Sequence, residues 1–249
     1  MAVVFSRRKD NTLYEIRRAG RSVRLYTNGV LHTQYHPAHG VTGGVWDLLA
    51  LPALALPQVQ RVLLLGVGGG AAIHLLRRWC PGVVITGVEL NAVHLQLARQ
   101  FFDLKGKGIT LIHGDAKAYV EQYQGEPFDM VIEDLFAGNG DPVRTFDANR
   151  AWCMALGRLV SKQGAVVINT LSPAELRATA FVSDASVCKQ WATGFSCTLP
   201  AYANTVGVFY RSALTPAALG KAVRADSLRA RQERQGLLRY KIRTLRRNR

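Results

Sequence analysis

Apolar and polar positions alternate in two different rhythms along this chain. Residues 13–34 run as short β-prone stretches, YEIRRAG, RSVRLYT and VLHTQ, with an Asn28-Gly29 pair between the last two. A two-residue hairpin turn needs positive φ at both central positions, which Asn-Gly supplies. A small N-terminal β-hairpin element is therefore predicted within residues 1–44. After the polar loop HPAHGVTGG, the apolar stretch 45–56 predicts a packed helix whose length Pro52 limits.

From Arg61 the rhythm changes. RVLLLG is a continuous apolar run closed by glycine, the pattern of a strand buried on both faces. Helix-period segments at 71–79, 92–102 and 116–123 then alternate with the strand-like VVITGVEL, GITLIHG and FDMVIED. Such β-α repetition with right-handed crossovers builds a doubly wound sheet. A helix over 145–160, the strand GAVVINT, a helix over 174–191 and two closing strands, FSCTLP and NTVGVFYR, complete a seven-stranded, mostly parallel α/β sheet. The short link between the closing strands predicts a hairpin, and with it one antiparallel strand. Residues 45–220 are expected to form this domain.

Charge changes the picture at one end only. The formal net charge is +15, and residues 221–249 hold eleven basic residues against Asp226 and Glu233, so +9 of it is terminal. Leu228, Leu237, Leu238, Ile242 and Leu245 predict a basic helical tail with a narrow apolar edge. Its partner is nucleic acid bound through charge, another acidic surface, or solvent alone; Tyr240 is its single aromatic residue, which argues against base-stacking recognition. A homodimer is left open. The four cysteines, 80, 153, 188 and 197, form no C-x-x-C pair, and the apolar runs fall short of the roughly 20 residues of a membrane span. Reduced thiols, no membrane insertion and a cytoplasmic location are expected.

In open α/β sheets ligands bind beyond the carboxyl ends of the strands. Gly66, Gly68, Gly69 and Gly70, followed by Ala71, come after the first core strand, where missing side chains admit a ligand to the backbone or serve packing. Glu89 ends the second strand, placed to accept ribose hydroxyls or to stand as a surface carboxylate. Gly114-Asp115-Ala116 follows the third, where Asp115 can accept from an adenine amine or cap the next helix. Glu133 and Asp134 end the fourth, suited to hold a cationic amine and take its proton, or in the case of Asp134 to cap a turn; Asp141 lies in the loop beyond. A glycine loop with an acid about twenty residues on fits NAD as well as S-adenosylmethionine; Asp115 and the Glu133-Asp134 pair favour the latter. His32, His36 and His39 suggest no fourth ligand, so no metal is expected.

With these motifs, VLLLGVGGGAA, VVITGVELN, LIHGDAKAYV, FDMVIEDLF and the hairpin LYTNGVLHTQ, the chain resembles the spermidine/spermine synthases. Those are relatives of the class I S-adenosylmethionine-dependent methyltransferases. The resemblance spans residues 13–211. It implies a Rossmann-like transferase whose donor is S-adenosylmethionine or its decarboxylated form and whose acceptor is a small amine or polyamine. Glu89 then binds the ribose, Gly114 and Asp115 contact adenine, and Asp134 is the base that deprotonates the amine.

The departures bear on the substrate. The family's glycine loop carries an aspartate where this chain has Gly69, the acid that holds the aminopropyl amine of the decarboxylated donor; glycine leaves the backbone free to accept a carboxylate, which tilts the expectation toward methyl transfer from the intact donor. Val45-Trp46-Asp47 replaces a Tyr-His-Glu stretch, and His32 replaces a hairpin glutamine. Glu133, Asp141, His32 and Trp46 are the candidate acceptor-side residues.

Overall fold

The computed structural model describes residues 1–137 and 143–248. Four antiparallel strands come first and pair in sequence order: β1 Ala2–Lys9, β2 Thr12–Ala19, β3 Ser22–Thr27 and β4 Val30–Tyr35. The β3–β4 turn has positive φ at Asn28 and Gly29, as the dipeptide predicted, and the Asn28 side chain accepts a hydrogen bond from the Leu13 amide at 2.8 Å. Strand β1 enlarges the expected hairpin to a four-stranded sheet. Its residues are almost all exposed, so backbone pairing to β2 defines it and no apolar face announces it.

Helix α1 spans Val45–Ala50 and tightens into a 3-10 turn at Leu51–Ala55, where Pro52 removes an amide donor. The alternation then follows as β5 Arg61–Leu65, α2 Ala71–Trp79, β6 Val84–Glu89, α3 Ala92–Phe101, β7 Ile109–His113, α4 Ala116–Gln122 and β8 Phe128–Glu133. The expected 145–160 helix is shorter than its apolar pattern: a two-strand ribbon, β9 Phe136–Ala137 with β10 Val143–Arg144, precedes α5 Arg150–Arg158, whose start the Asn149 side chain caps. After β11 Val160–Thr170, the expected 174–191 helix is broken into α6 Pro173–Ala178, α7 Ala180–Ser183 and α8 Ala185–Cys188, because Thr179 and Asp184 are extended and start new turns. Strands β12 Thr193–Thr198 and β13 Thr205–Tyr210 form the predicted hairpin.

The main sheet has eight strands, one more than expected, in the order β14-β12-β13-β11-β8-β5-β6-β7. The pairs from β11 through β7 are parallel, and β13 is antiparallel to β11 and β12. Successive core residues separate to opposite faces: Val62, Leu64, Met130 and Ile132 pack with α1 and α2, while Leu63, Leu65 and Val131 pack with α4 and α5. The N-terminal sheet is fastened to α3 by Tyr14, Ile16, Leu25, Val93, Leu97 and Phe102. It thereby roofs the crevice where the strand order reverses between β5 and β8.

The extra strand comes from the basic tail. Beyond α9 Pro216–Arg224 and α10 Ser227–Arg234, the helix expected there stops at Gly236, which has positive φ, and β14 Lys241–Thr244 pairs antiparallel with β12. Leu238 is fully buried with Leu219 and Val223. Arg247 donates to the carbonyls of Cys188, Trp191 and Ala192, and Arg224 pairs with Glu233. Part of the tail's charge is thus engaged inside the fold. Among the described residues no helix is long and apolar enough to cross a membrane. Leu238→Ala is expected to destabilise the whole chain by about 2–5 kcal/mol through lost burial and a cavity; a denaturant midpoint within error of the unmodified protein would show the tail to be a loose appendage.

Candidate active site

A cavity of about 640 Å³ opens over the carboxyl ends of β5, β6, β7 and β8, beneath the N-terminal sheet. Gly66, Gly68, Glu89, Asp115, Ala116, Asp134, His32 and Trp46 all line it. Gly69 and Gly70 belong to the same loop but face the protein: a β-carbon on Gly69 would meet Thr33 and Phe102, and one on Gly70 would meet Leu104. Asp141 lies outside the described residues.

The glycine loop is built around Glu89. One carboxylate oxygen accepts from the amides of Val67 and Gly68, each at 2.9 Å, and the other from the amide of Asn91 at 2.9 Å. Asn91 in turn caps α3 by accepting from the amides of Val93 and His94. Positive φ at Gly66 and a close approach to the Asp134 carbonyl leave no room for a side chain there. The Gly69 amide donates to Thr33 Oγ1 at 2.7 Å and the Gly70 amide to the Val67 carbonyl at 2.8 Å. All four loop amides from Val67 to Gly70 therefore have partners within the protein, in contrast to the expected free backbone at Gly69.

Asp115 sits at the start of α4 and accepts from the Ala118 amide at 2.8 Å, so it caps the helix while its carboxylate still borders the cavity. Asp134 follows β8 and accepts from Asn169 Nδ2 at 2.8 Å; Asn169 Oδ1 accepts from Asn204 Nδ2 at 3.1 Å. This amide relay comes from the end of β11 and the loop before β13, and Asp134 lines the cavity. Burial pushes the Asp134 carboxyl up to about 6, only partly offset by the Asn169 hydrogen bond and the positive charge of Arg144.

Glu133, expected beside the acceptor, points to the other side of the strand. It is fully buried and held by Arg144 through two parallel bonds of 2.9 Å. Arg144 also reaches Glu175 at 3.1 Å and the carbonyl of Asn169. Burial raises the Glu133 carboxyl while the guanidinium draws it back. The reason is the period of two along β8, which sends adjacent side chains to opposite faces.

The roof carries neutral imidazoles. Burial lowers both His32 and His94 to about 4. Their rings lie 4.9 Å apart, His94 Nε2 is 2.8 Å from Thr27 Oγ1, and His32 Nε2 is buried without a partner among the described residues. Trp46 packs edge-on against Tyr202 at 6.4 Å. Its neighbour Asp47, buried, fastens the loop ahead of α1 by accepting from the Thr42 amide and hydroxyl and the Gly43 amide. The His36 and His39 rings meet at a tilt of 37°, and unlike His32 neither lines the cavity. Among the described residues no three His, Cys, Asp or Glu side chains are grouped as metal ligands.

Several cavity residues carried no sequence signal. Asn169, Asn204 and Tyr202 come from a strand end and a loop far along the chain; Arg144, which holds Glu133 away from the cavity, comes from a segment expected to be near a helix start. The GAVVINT strand end, one position past the apolar run, was the available hint for Asn169, since strand ends were already where the acids lay.

The strand order, with a glycine loop and acids at its switch point, defines a class I methyltransferase-like fold. No protein-family model matches the chain. Over 123 residues, 48% of the chain, it is 30% identical to a polyamine aminopropyltransferase of Vibrio vulnificus, matching 40% of that protein. Over 101 residues, 39% of the chain, it is 29% identical to putrescine N-methyltransferase 2 of Nicotiana tabacum, matching 28% of that protein. The chain thus matches less than half the length of these curated relatives. In three dimensions it superposes on a probable spermidine synthase of Corynebacterium glutamicum with a TM-score of 0.72 at 16% identity, covering 90% of this chain and 88% of the other. The fold is spermidine synthase-like, as the motifs implied.

Arg144→Ala is expected to cost about 3–5 kcal/mol by stranding a buried carboxylate. The loss should deepen as pH rises, because only the ionised form of Glu133 lacks compensation; urea titrations at acid and alkaline pH measure it, and a pH-independent loss would exclude this role.

Proposed function

We propose that the protein is a transferase that binds S-adenosylmethionine or its decarboxylated form and transfers a methyl or aminopropyl group to an amine. The observation that carries this is the convergence of Glu89, Asp115 and an Asn169-held Asp134 on one cavity at the switch point. The acids suit the donor: Glu89 borders the place for ribose hydroxyls, Asp115 the place for the adenine amine, and Asp134 the cationic centre. A sulfonium supplies an electrophilic carbon and a neutral thioether leaving group.

What remains for the protein is alignment and removal of one proton. The amine nitrogen forms its new bond to carbon as the carbon–sulfur bond breaks, the electron pair going to sulfur. Asp134 takes the proton released from nitrogen. A carboxylate tuned to about 6 is ionised at neutral pH and more basic than an exposed aspartate. Asn169 orients it through their hydrogen bond.

Methyl transfer is the favoured form. Gly69 supplies no carboxylate where the family's acid holds the aminopropyl amine, and Thr33 occupies the space beside it. A loop backbone open to the donor's carboxylate, also expected from Gly69, has no support in the geometry, because those amides are already bonded.

Calorimetric titration with both donors and with NAD tests the reading, followed by mass analysis of the alkylated amine; tight binding of the decarboxylated donor alone would remove the preference for methyl. Asp134→Asn is expected to keep donor affinity within about twofold and lower turnover by about 10²–10⁴. Glu89→Ala is expected to lose donor binding first, since it also releases the glycine loop. The opposite pattern would rule out these roles. Because the folded pKa of Asp134 is raised, the base is protonated and inactive below about 6, so turnover should climb as pH rises through that value and then level. A flat profile across that range would remove Asp134 as the base.

A further inference from the structure

We infer that Asn204 is a positioning residue for the base: it supplies the donor that keeps the Asn169 amide turned toward Asp134. This rests on the transferase reading, in which Asp134 takes the proton, and it extends that step to a residue of the β12–β13 connection.

An ionised carboxylate only accepts hydrogen bonds, so the Asn169 group that faces Asp134 has to be Nδ2, as it is at 2.8 Å. That choice sends Asn169 Oδ1 the other way. Asn169 is only 3% exposed, and a buried carbonyl oxygen with no donor is costly. Asn204 Nδ2 meets the need at 3.1 Å. The bonds therefore run in one sense, donor to acceptor, from Asn204 through Asn169 to Asp134.

Only the amide plane of Asn169 is left free to turn. Its main chain pairs with Val206 of β13, and its carbonyl accepts from Arg144. Asn204 is placed by its neighbour, because Thr205 pairs with Thr170 in the same ladder and the Thr205 carbonyl accepts from Thr170 Oγ1. The connection that bears Asn204 is also held at Tyr202, which packs edge-on against Trp46. The β11–β13 ladder thus brings the two amides together although they lie far apart in sequence.

Taking away the Asn204 donor leaves Asn169 Oδ1 buried and unpaired. A half-turn of the amide about χ2 would relieve that atom, and it would also set a carbonyl oxygen against the Asp134 carboxylate. Whether the amide turns or stays, the hold on the base weakens. The side chain at position 204 must therefore donate; matching its shape is not enough.

Heteronuclear NMR of the full chain tests this at the Asn169 side-chain amide, whose signals are assigned by their loss in Asn169→Leu. In the unmodified protein a proton bonded to the carboxylate exchanges slowly with water. Asn204→Leu, which keeps the shape and lacks the donor, is expected to speed that exchange by about tenfold, the equivalent of one hydrogen bond. Asn204→Gln, which keeps a donor, is expected to recover most of the protection, and Asn204→Ala gives a second donor-free variant where leucine disturbs the connection. With putrescine as the probe amine, Asn204→Leu is expected to lower kcat by about tenfold with the donor Kd within about twofold, and to lower it no further in an Asn169→Leu background. An Asn169 amide unmoved by both donor-free variants, or disturbed equally by Asn204→Gln, overturns the inference; so does a loss of kcat that persists in the Asn169→Leu background. Failure of the unmodified protein to bind either sulfonium donor overturns the transferase reading instead. The NMR measurement needs no acceptor, so it decides the role of Asn204 whichever amine the protein alkylates.

Discussion

Three backbone amides donating to one carboxylate, that of Glu89, hold the site together. The glycine loop after β5 has tight turns and amides that no strand or helix can pair, and the end of β6 brings the acceptor they need. The same side chain joins the loop to the start of α3, which in turn carries the N-terminal sheet over the crevice. Removing that carboxylate would therefore disturb floor, loop and roof together, a consequence that its role as a ribose ligand alone would not have.

The chain combines a strongly basic surface with a set of acids at one sheet edge, and their environments separate them into different tasks. Glu133 and Asp134 are neighbours in sequence, yet one is locked to a guanidinium beneath the sheet and the other is held by a neutral amide at the cavity. An ion pair stabilises a carboxylate and makes it a poor base; an amide orients a carboxylate without discharging it. The different partners on the two faces of β8 thus determine which of the two acids is fit to take a proton. The roof contributes His32 and His94 in neutral form, and Lys9 at the end of β1 also lines the cavity.

Much of the fold was legible because local patterns agreed with the global arrangement. RVLLLG reads as a strand buried on both faces, and Leu63 and Leu64 do pack to opposite sides of the sheet. Asn28-Gly29 predicts its turn from φ preferences alone. Strand β1 was illegible since its register depends on β2, and β14 because KIRT resembles the basic residues around it until β12 offers an open edge. The candidate site divided in the same way. Glu89, Asp115 and Asp134 could be found from their places at strand ends, whereas Asn169 and Asn204 matter only through a contact made across 35 residues of chain.

The sequence by itself determined the alternation of strands and helices, the glycine loop and the strand-end acids, since each follows from spacing within a few residues. Tertiary structure alone decided that Glu133 is neutralised, that the loop amides are already bonded, that the basic tail closes the sheet, and that aromatic residues from separate segments line one cavity. Those properties belong to pairs of groups distant along the chain, whose charge state and exposure depend on what packs against them.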